Sequence, residues 1–248
     1  MATDDSAAQS VNDQLPRRAS SRRGLVLGVL AAVILAAAWG WTANRRLAAE
    51  NKAAQALEKL GALVVRDGGS GHVASVNLST VQTPEALAEA VALLPALSEI
   101  SSLDASRSAI KDEQMAAVAQ LGSLTTLTLN ETAIGDAGVA QLRPLANLQS
   151  LFLSATPLTD AGTAALASMK SLRVIDLSST KLTSNFEPIL ALPQLEWLVL
   201  RDVKLADDAL PQLGGSASLN RLSLEGSEYS ADALAELQQA QPSLGVDR

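Results

Sequence analysis

The chain has 248 residues, no cysteine, one histidine and a formal net charge of −7. Without cysteine it contains no disulfide, thiolate nucleophile or cysteine-bound metal, and a single histidine excludes a two-histidine metal site. The charge is uneven, because residues 1–46 carry six arginines against three aspartates, a net +3, which leaves −10 for residues 47–248. An acidic body of this kind is repelled by nucleic-acid phosphates, so we expect no nucleic-acid partner.

The N-terminal residues predict a membrane anchor. Residues 1–23 are polar and without hydrophobic periodicity, which is typical of a disordered cytoplasmic tail. The segment Gly24–Trp41 contains no charged residue and is long enough, at ~1.5 Å per residue, to cross the hydrocarbon layer as a helix. Trp39 and Trp41 suit the headgroup boundary. Because more arginines precede this segment than follow it, we expect a single-pass protein whose later residues lie outside the cytoplasm.

The same segment also has features of a removable export signal. The stretch "SRRGLVL" (Ser21–Leu27) resembles the bacterial twin-arginine signal, and "AAA" (Ala36–Ala38) fits a small-x-small cleavage rule. The two tryptophans close behind Ala38, and the unbroken helical pattern from Ala43 onward, argue against cleavage. Export after signal cleavage is therefore the alternative localisation.

Residues 42–72 predict a cap for the region that follows. An alanine-rich helix ends at Gly61, where a C-terminal glycine is expected. The stretches "ALVVRD" and "HVASVNLS" then flank "GGSG", which predicts a β-hairpin. The glycine-rich turn lacks the Gly-Lys-Ser/Thr ending of a phosphate-binding loop. His72, at the end of this turn, is interpreted as an ordinary surface residue.

A six-residue frame, L-x-x-L-x-L, recurs five times between Leu124 and Leu224, at steps of 24, 24, 23 and 24 residues. Weaker copies begin at Val73 and Ile100, and "SLGV" (Ser243–Val246) forms a stub of one more. Alternating aliphatic residues predict a short strand with one buried side. Because one unit cannot bury that side alone, the units must stack and share a core.

Two columns of polar residues follow the frame. The first lies where the chain leaves the strand, so its hydroxyls can satisfy backbone groups that the turn leaves unpaired. It consists of Ser108, Thr132, Thr156, Thr180 and Ser227, with Val203 interrupting it. The second column lies where the helices are predicted to begin, and we expect each member to cap the helix that follows. Its members are Asp112, Asp136, Asp160, Ser184, Asp207 and Ser230.

These repeats resemble the leucine-rich-repeat proteins, of the bacterial type with 24-residue units and Thr in place of the more familiar Asn. The resemblance covers about residues 73–246. It implies an α/β solenoid with parallel strands on its concave face and helices on its convex face. We therefore predict four regions: a tail at 1–23, a transmembrane signal anchor at 24–41, a capping helix and hairpin at 42–72, and the repeat domain at 73–248.

Strand residues that point away from the core should face the concave surface. In the first three units they are small and polar, whereas later units carry larger side chains. An apolar centre with a charged rim is typical of an interaction site, which predicts a protein or peptide ligand. The predicted partner-binding residues are Phe152, Val174, Asp176, Trp197, Val199, Arg201 and Arg221. The competing interpretation is that aromatic and β-branched residues simply favour strands.

No motif predicts catalysis, a cofactor or a bound metal. The second column supplies one carboxylate per repeat, which is poor coordination for calcium. The acidic residues predicted on the concave face, Asp104, Asp176 and Glu225, are isolated from one another, so no acid pair forms. The sequence therefore predicts a binding protein that is not an enzyme, and a structural envelope protein without a specific ligand is the alternative.

Overall fold

The structure is a computed structural model that describes residues 21–248. The predicted tail at 1–23 falls almost wholly outside the described residues, as do the side chains of residues 21–33. The chain divides into two compact units, Met1–Arg45 and Arg46–Arg248.

Helix α1 spans Ser21–Lys59. Within the part of the chain that the structure describes, no helix has the length and apolar content that a bilayer crossing requires. The predicted anchor Gly24–Trp41 falls partly on residues 24–33, whose side chains lie outside the described residues.

In residues 21–248, nine strands form one sheet in chain order. The first pair is antiparallel and every later pair is parallel. The strands are β1 Leu63–Arg66, β2 Val73–Asn77, β3 Ser102–Asp104, β4 Thr126–Thr128, β5 Ser150–Phe152, β6 Val174–Asp176, β7 Trp197–Val199, β8 Arg221–Ser223 and β9 Gly245–Asp247. Strict chain order with parallel pairing is the topology of stacked repeats.

The strand register confirms the predicted frame. In β3 to β8 the residue at the centre of each strand pairs with its counterpart one repeat later, as Leu127 does with Leu151 and Ile175 with Leu198. These central side chains are fully buried. Since side chains alternate along a strand, a slip of one residue would have turned every one of them outward.

Short helices return the chain to each next strand. They are α2 Pro84–Leu93, α3 Met115–Val118, α4 Asp136–Gln141, α5 Thr163–Leu166, α6 Glu187–Leu190, α7 Ala209–Leu213 and α8 Ala231–Ala240. The inner ones have only four to six residues, because a unit of about 24 residues must also contain a strand and two turns. Their apolar residues pack with the strands in one continuous core.

Both ends of the core are covered by longer helices. Ala53, Ala54 and Leu57, on the part of α1 within Arg46–Arg248, are buried in the first rung. At the other end Leu237 of α8 is fully buried. Covered ends are what a stack of repeats needs, because an uncapped rung would expose its apolar side.

The first polar column is structural, as predicted. In each of four repeats the hydroxyl donates to the carbonyl oxygen three residues earlier, for example Thr132 Oγ1 to Leu129 O at 2.6 Å and Thr156 Oγ1 to Leu153 O at 2.7 Å. Val203 cannot make this bond. The next repeat compensates, because Ser227 Oγ donates to Leu200 O and accepts the Val203 N–H at 2.9 Å.

The second polar column works differently from the prediction. Three of its aspartates accept backbone N–H groups of the next repeat instead of capping their own helices: Asp112 from Gly135 and Asp136 from Thr159, both at 2.9 Å, and Asp160 from Thr183 at 3.0 Å. Among the column's members in the described chain, Ser230 alone caps its own helix, accepting the Ala233 N–H at 3.2 Å. The column therefore ties neighbouring repeats together.

The glycines of the recurring "DAG" triplet make room for these aspartates. A Cβ atom on Gly138 would overlap Asp112 Oδ1, and one on Gly162 would overlap both Asp136 Oδ1 and Leu158 Cδ1. The glycine of one repeat thus leaves the space in which the aspartate of the preceding repeat makes its inter-repeat hydrogen bond.

Candidate binding surface

The predicted partner-binding residues lie together on the outer face of the sheet, the face turned away from the core. Val174, Trp197 and Arg221 pair directly across β6, β7 and β8. A second row pairs Phe152 with Asp176 across β5 and β6. We call the surface formed by Phe152, Val174, Asp176, Trp197, Arg201 and Arg221 the sheet patch.

Val199, which was predicted to face solvent, is only 6% exposed and does not belong to the surface. It pairs with Ser223, which is fully buried. The indole Nε1 of Trp197 donates to Ser223 Oγ at 3.2 Å, so the ring extends along the sheet toward the Val199–Ser223 pair. A large neighbour on the same face therefore shields the valine from solvent.

Trp197 is held in one orientation by its neighbours. The guanidinium of Arg221 stacks 4.6 Å from the ring centroid, and Arg221 Nε donates to Asp247 Oδ2 at 2.8 Å. Ser223 Oγ donates to the same oxygen at 3.2 Å. The bond from Arg221, opposed by partial desolvation and helped by Ser223, lowers the pKa of Asp247. Ionised Asp247 thus holds Arg221 in place, and Arg221 in turn holds the ring of Trp197.

Arg201 is the charged residue of the sheet patch that its neighbours hold least firmly. Its Nε lies 3.7 Å from Glu225 Oε2, with both side chains about half exposed or more, and an exposed pair of this kind holds its partners weakly. Asp176 is more constrained, because its Oδ1 accepts both the N–H and the hydroxyl of Ser178, at 2.9 and 2.6 Å. Of these two charges, Arg201 is the one available to a ligand.

Comparisons with known proteins identify the architecture. No protein-family model and no curated protein matches the sequence. Among solved structures, a leucine-rich-repeat protein of Leptospira interrogans is 25% identical with a TM-score of 0.53, over 63% of this chain and 39% of that chain. The fold is a leucine-rich-repeat solenoid.

Two internalins of Listeria monocytogenes are also similar to the solenoid. One is 18% identical with a TM-score of 0.48, over 73% of this chain and 59% of its own. The other, internalin C2, is 20% identical with a TM-score of 0.44, over 60% of this chain and 71% of its own. The chain spans 39% of the length of the Leptospira protein.

The N-terminal half of the solenoid's outer sheet face differs from the sheet patch. Small hydroxyl side chains there form a row of directly paired residues on successive strands: Ser75, Ser102, Thr126 and Ser150. Beside it, Asn77 Nδ2 donates to Asp104 Oδ2 at 3.1 Å. The face therefore changes from small and polar to large and partly apolar at Phe152.

His72, interpreted from the sequence as an ordinary surface residue, is partly exposed and contacts a buried glutamate in the solenoid's cap. Glu50 of α1 is fully buried, and its carboxylate lies 2.8 Å from His72 Nδ1 and accepts the Val73 N–H at 2.6 Å. This bond, against the opposing effect of burial, raises the pKa of His72, and the charges of Glu50, Glu99 and Asp67 act in the same direction. The pair joins α1 to the start of β2.

A cavity of about 370 Å³ lies beside this pair, at the N-terminal ends of β2 and β3. It is lined by Asp67, Ser70, His72, Val73, Ala74, Glu99 and Ser101. Within the described residues, no three histidine, aspartate or glutamate side chains are grouped to hold a metal ion.

Proposed function

We propose that this chain is a membrane-tethered, extracytoplasmic leucine-rich-repeat module that binds a protein or peptide on its concave face, the outer face of the sheet, and that it is not an enzyme. The observation that carries the proposal is the sheet patch, where Phe152, Val174 and Trp197 are partly open to solvent on a face whose other exposed side chains are polar or charged. Exposed Arg201 and Arg221 border them.

The composition of the sheet patch suits protein recognition. Tryptophan and arginine are enriched among the residues that contribute most to protein–protein affinity. Trp197 is already immobilised by Arg221 and Ser223, so a ligand would not have to order it on binding. A surface arranged before the ligand arrives loses less entropy on association.

The tether rests on separate observations. In the unit Met1–Arg45, Trp39 and Trp41 are 76% and 61% exposed, and the Arg45 guanidinium stacks 4.5 Å from the Trp41 ring centroid. Exposed tryptophans beside arginine suit the headgroup region that ends a membrane span. The uncharged run Gly24–Trp41 and the excess of arginine before it support an N-terminus in the cytoplasm.

A structural envelope protein without a specific ligand is the second candidate. The contacts of Trp197 favour it, because its N–H and one ring face are already used within the stack. On this alternative the sheet patch only stiffens the last repeats.

Affinity capture from membranes of the source cells separates the two candidates. The immobilised full chain is compared with a patch variant, Phe152→Ser with Val174→Ser, and with a control variant on the same face, Ser102→Ala with Thr126→Ala. Binding on the sheet patch predicts that the patch variant loses a captured protein by tenfold or more, as about 2 kcal/mol per dominant residue implies. The control variant should retain it. Identical captured proteins for all three would support the structural alternative.

Protease accessibility tests the tether. Protease added to intact spheroplasts should digest the repeat region and spare a short N-terminal fragment. Full protection would contradict the proposed orientation, and a soluble form that begins near Trp39 would show cleavage of an export signal.

A further inference from the structure

Strand β1 presents an open edge of the sheet. It pairs with β2 on one side, and no other described strand lies beyond it. Leu63 and Val65 are each 58% exposed, and no other large apolar side chain in the described unit Arg46–Arg248 is exposed to this degree. An edge with unpaired backbone groups and apolar side chains is a template for another strand.

The outward backbone groups of β1 can be assigned from the neighbouring strands. Ala74 O accepts from Ser101 N and Leu78 N donates to Asp104 O, so the even-numbered residues of β2 bond to β3. The odd-numbered residues of β2 therefore face β1. Since Leu63 pairs with Asn77 and Val65 with Ser75, these two residues bond to β2, and the N–H and C=O of Val64 point outward.

The edge lacks the features that usually block strand addition. It contains no proline, and its one charged residue, Arg66, turns back to Asn51 Oδ1 at 2.7 Å and Gly71 O at 3.3 Å. The opposite edge, β9, is different, because it carries Asp247 in an ion pair with Arg221. The two edges are therefore not complementary, and an open-ended chain of molecules through them is disfavoured.

We propose that β1 pairs antiparallel with β1 of a second copy of this chain, about a two-fold axis through Val64. This goes beyond the proposed function and does not depend on it. Val64 exchanges two backbone hydrogen bonds with Val64 of the partner subunit, and Leu63 lies opposite Val65 of the partner subunit. Each exposed side chain is then covered by one from the other copy, and this contact occurs twice, once on each side of the axis.

Neighbouring registers fit less well. Moving the axis to Val65 would put Leu63 opposite Asp67 of the partner subunit, and moving it to Leu63 would leave Val65 opposite Gly61 of the partner subunit. Only the axis at Val64 places the exposed apolar side chains of the two copies, Leu63 and Val65, opposite each other. A strand of four residues supplies far fewer contacts than the about 20–30 residues per side of a stable interface, so the dimer is weak and concentration-dependent.

The absence of native cysteine makes a disulfide test clean. Leu63→Cys and Val65→Cys are prepared separately in the full chain, mixed, and oxidised mildly. Directly opposite, non-hydrogen-bonded residues of antiparallel strands are close enough for a disulfide. We expect a covalent dimer that contains one copy of each variant, and little from either variant alone. The control mixes Leu63→Cys with Ala235→Cys, because Ala235 is exposed on the outer side of α8.

A second variant tests the dimer without cross-linking. Val65→Lys places a charge on the exposed face of β1 and should leave the fold intact, which circular dichroism checks. Sedimentation velocity of the full chain in mild detergent should show a monomer–dimer equilibrium that this variant abolishes. A wild-type monomer at every concentration, a dimer that survives Val65→Lys, open-ended oligomers, or cross-linking equal to the control would each overturn the proposal.

Discussion

Asp160 and Asp207 occupy the same column of the repeat, but the structure predicts opposite consequences for their removal. Asp160 Oδ1 accepts the N–H groups of Thr183, Ser184 and Asn185 at 3.0 to 3.3 Å, and its Oδ2 accepts the Thr183 hydroxyl at 2.6 Å. Asp207 is exposed and accepts no hydrogen bond within the part of the chain that the structure describes. If each aspartate simply capped its own helix, the two would matter equally.

The cost of Asp160→Ala follows from these bonds. A hydrogen bond to a charged group contributes about 1.5–3 kcal/mol, but the freed N–H groups are partly open to water and recover some of that. We therefore expect a loss of about 2–3 kcal/mol in the free energy of unfolding, or roughly 4–12 °C in melting temperature for a domain of this size. Asp207→Ala should stay within about 0.5 kcal/mol of wild type.

Urea unfolding, followed by circular dichroism at several pH values, measures both variants. Burial opposes ionisation of Asp160, but the bonds from Thr183, Asn185 and Ser184 together lower its pKa below 3.8. Its contribution is therefore present above about pH 3.8 and is lost as pH falls through the folded-state pKa. Equal losses for Asp160→Ala and Asp207→Ala at neutral pH would refute the inter-repeat role of the column.

Three further predictions concern single contacts. Thr156→Val should cost about 1 kcal/mol in thermal unfolding, because a carbonyl loses its donor. Glu50→Gln should lower the pKa of His72, the only histidine, from above 6.5 toward 6.5 in an NMR titration. In the wild type, the contact between Glu50 and His72 adds stability below pH 6.5, and this stability is lost as pH rises through the folded-state pKa of His72. Gly162→Ala should destabilise by about 1–3 kcal/mol through steric overlap, whereas Gly122→Ala, with nothing near the new methyl, should be close to neutral in the same melts.

The strand register could be predicted because burial repeats with a fixed period. Leu151 and Leu198 occupy equivalent positions in the frame, and both are fully buried. Val199 was mispredicted because its burial depends on one neighbour, Trp197, whose ring direction is not encoded in alternation. The grouping of the sheet patch followed from the register, but its exposure had to be read from packing.

Local sequence patterns could not predict contacts between residues that lie far apart in the chain. Glu50 and His72 are 22 residues apart, and no motif links them. The left-handed backbone in the turns after β3, β4 and β5 also lacked a signal, because Arg107, Glu131 and Ala155 adopt positive φ values of 55° to 56° without being glycine or asparagine. The surrounding repeat imposes this conformation.

Site-specific photo-crosslinking in living source cells tests ligand binding on the concave face most directly. A benzophenone amino acid replaces Phe152, whose side chain is partly exposed and makes no hydrogen bond. In the control it replaces Ala191, an exposed residue directly after α6. The proposed function predicts a discrete covalent adduct with another protein from position 152 and none from position 191. No adduct from position 152, or the same adducts from both positions, would contradict it.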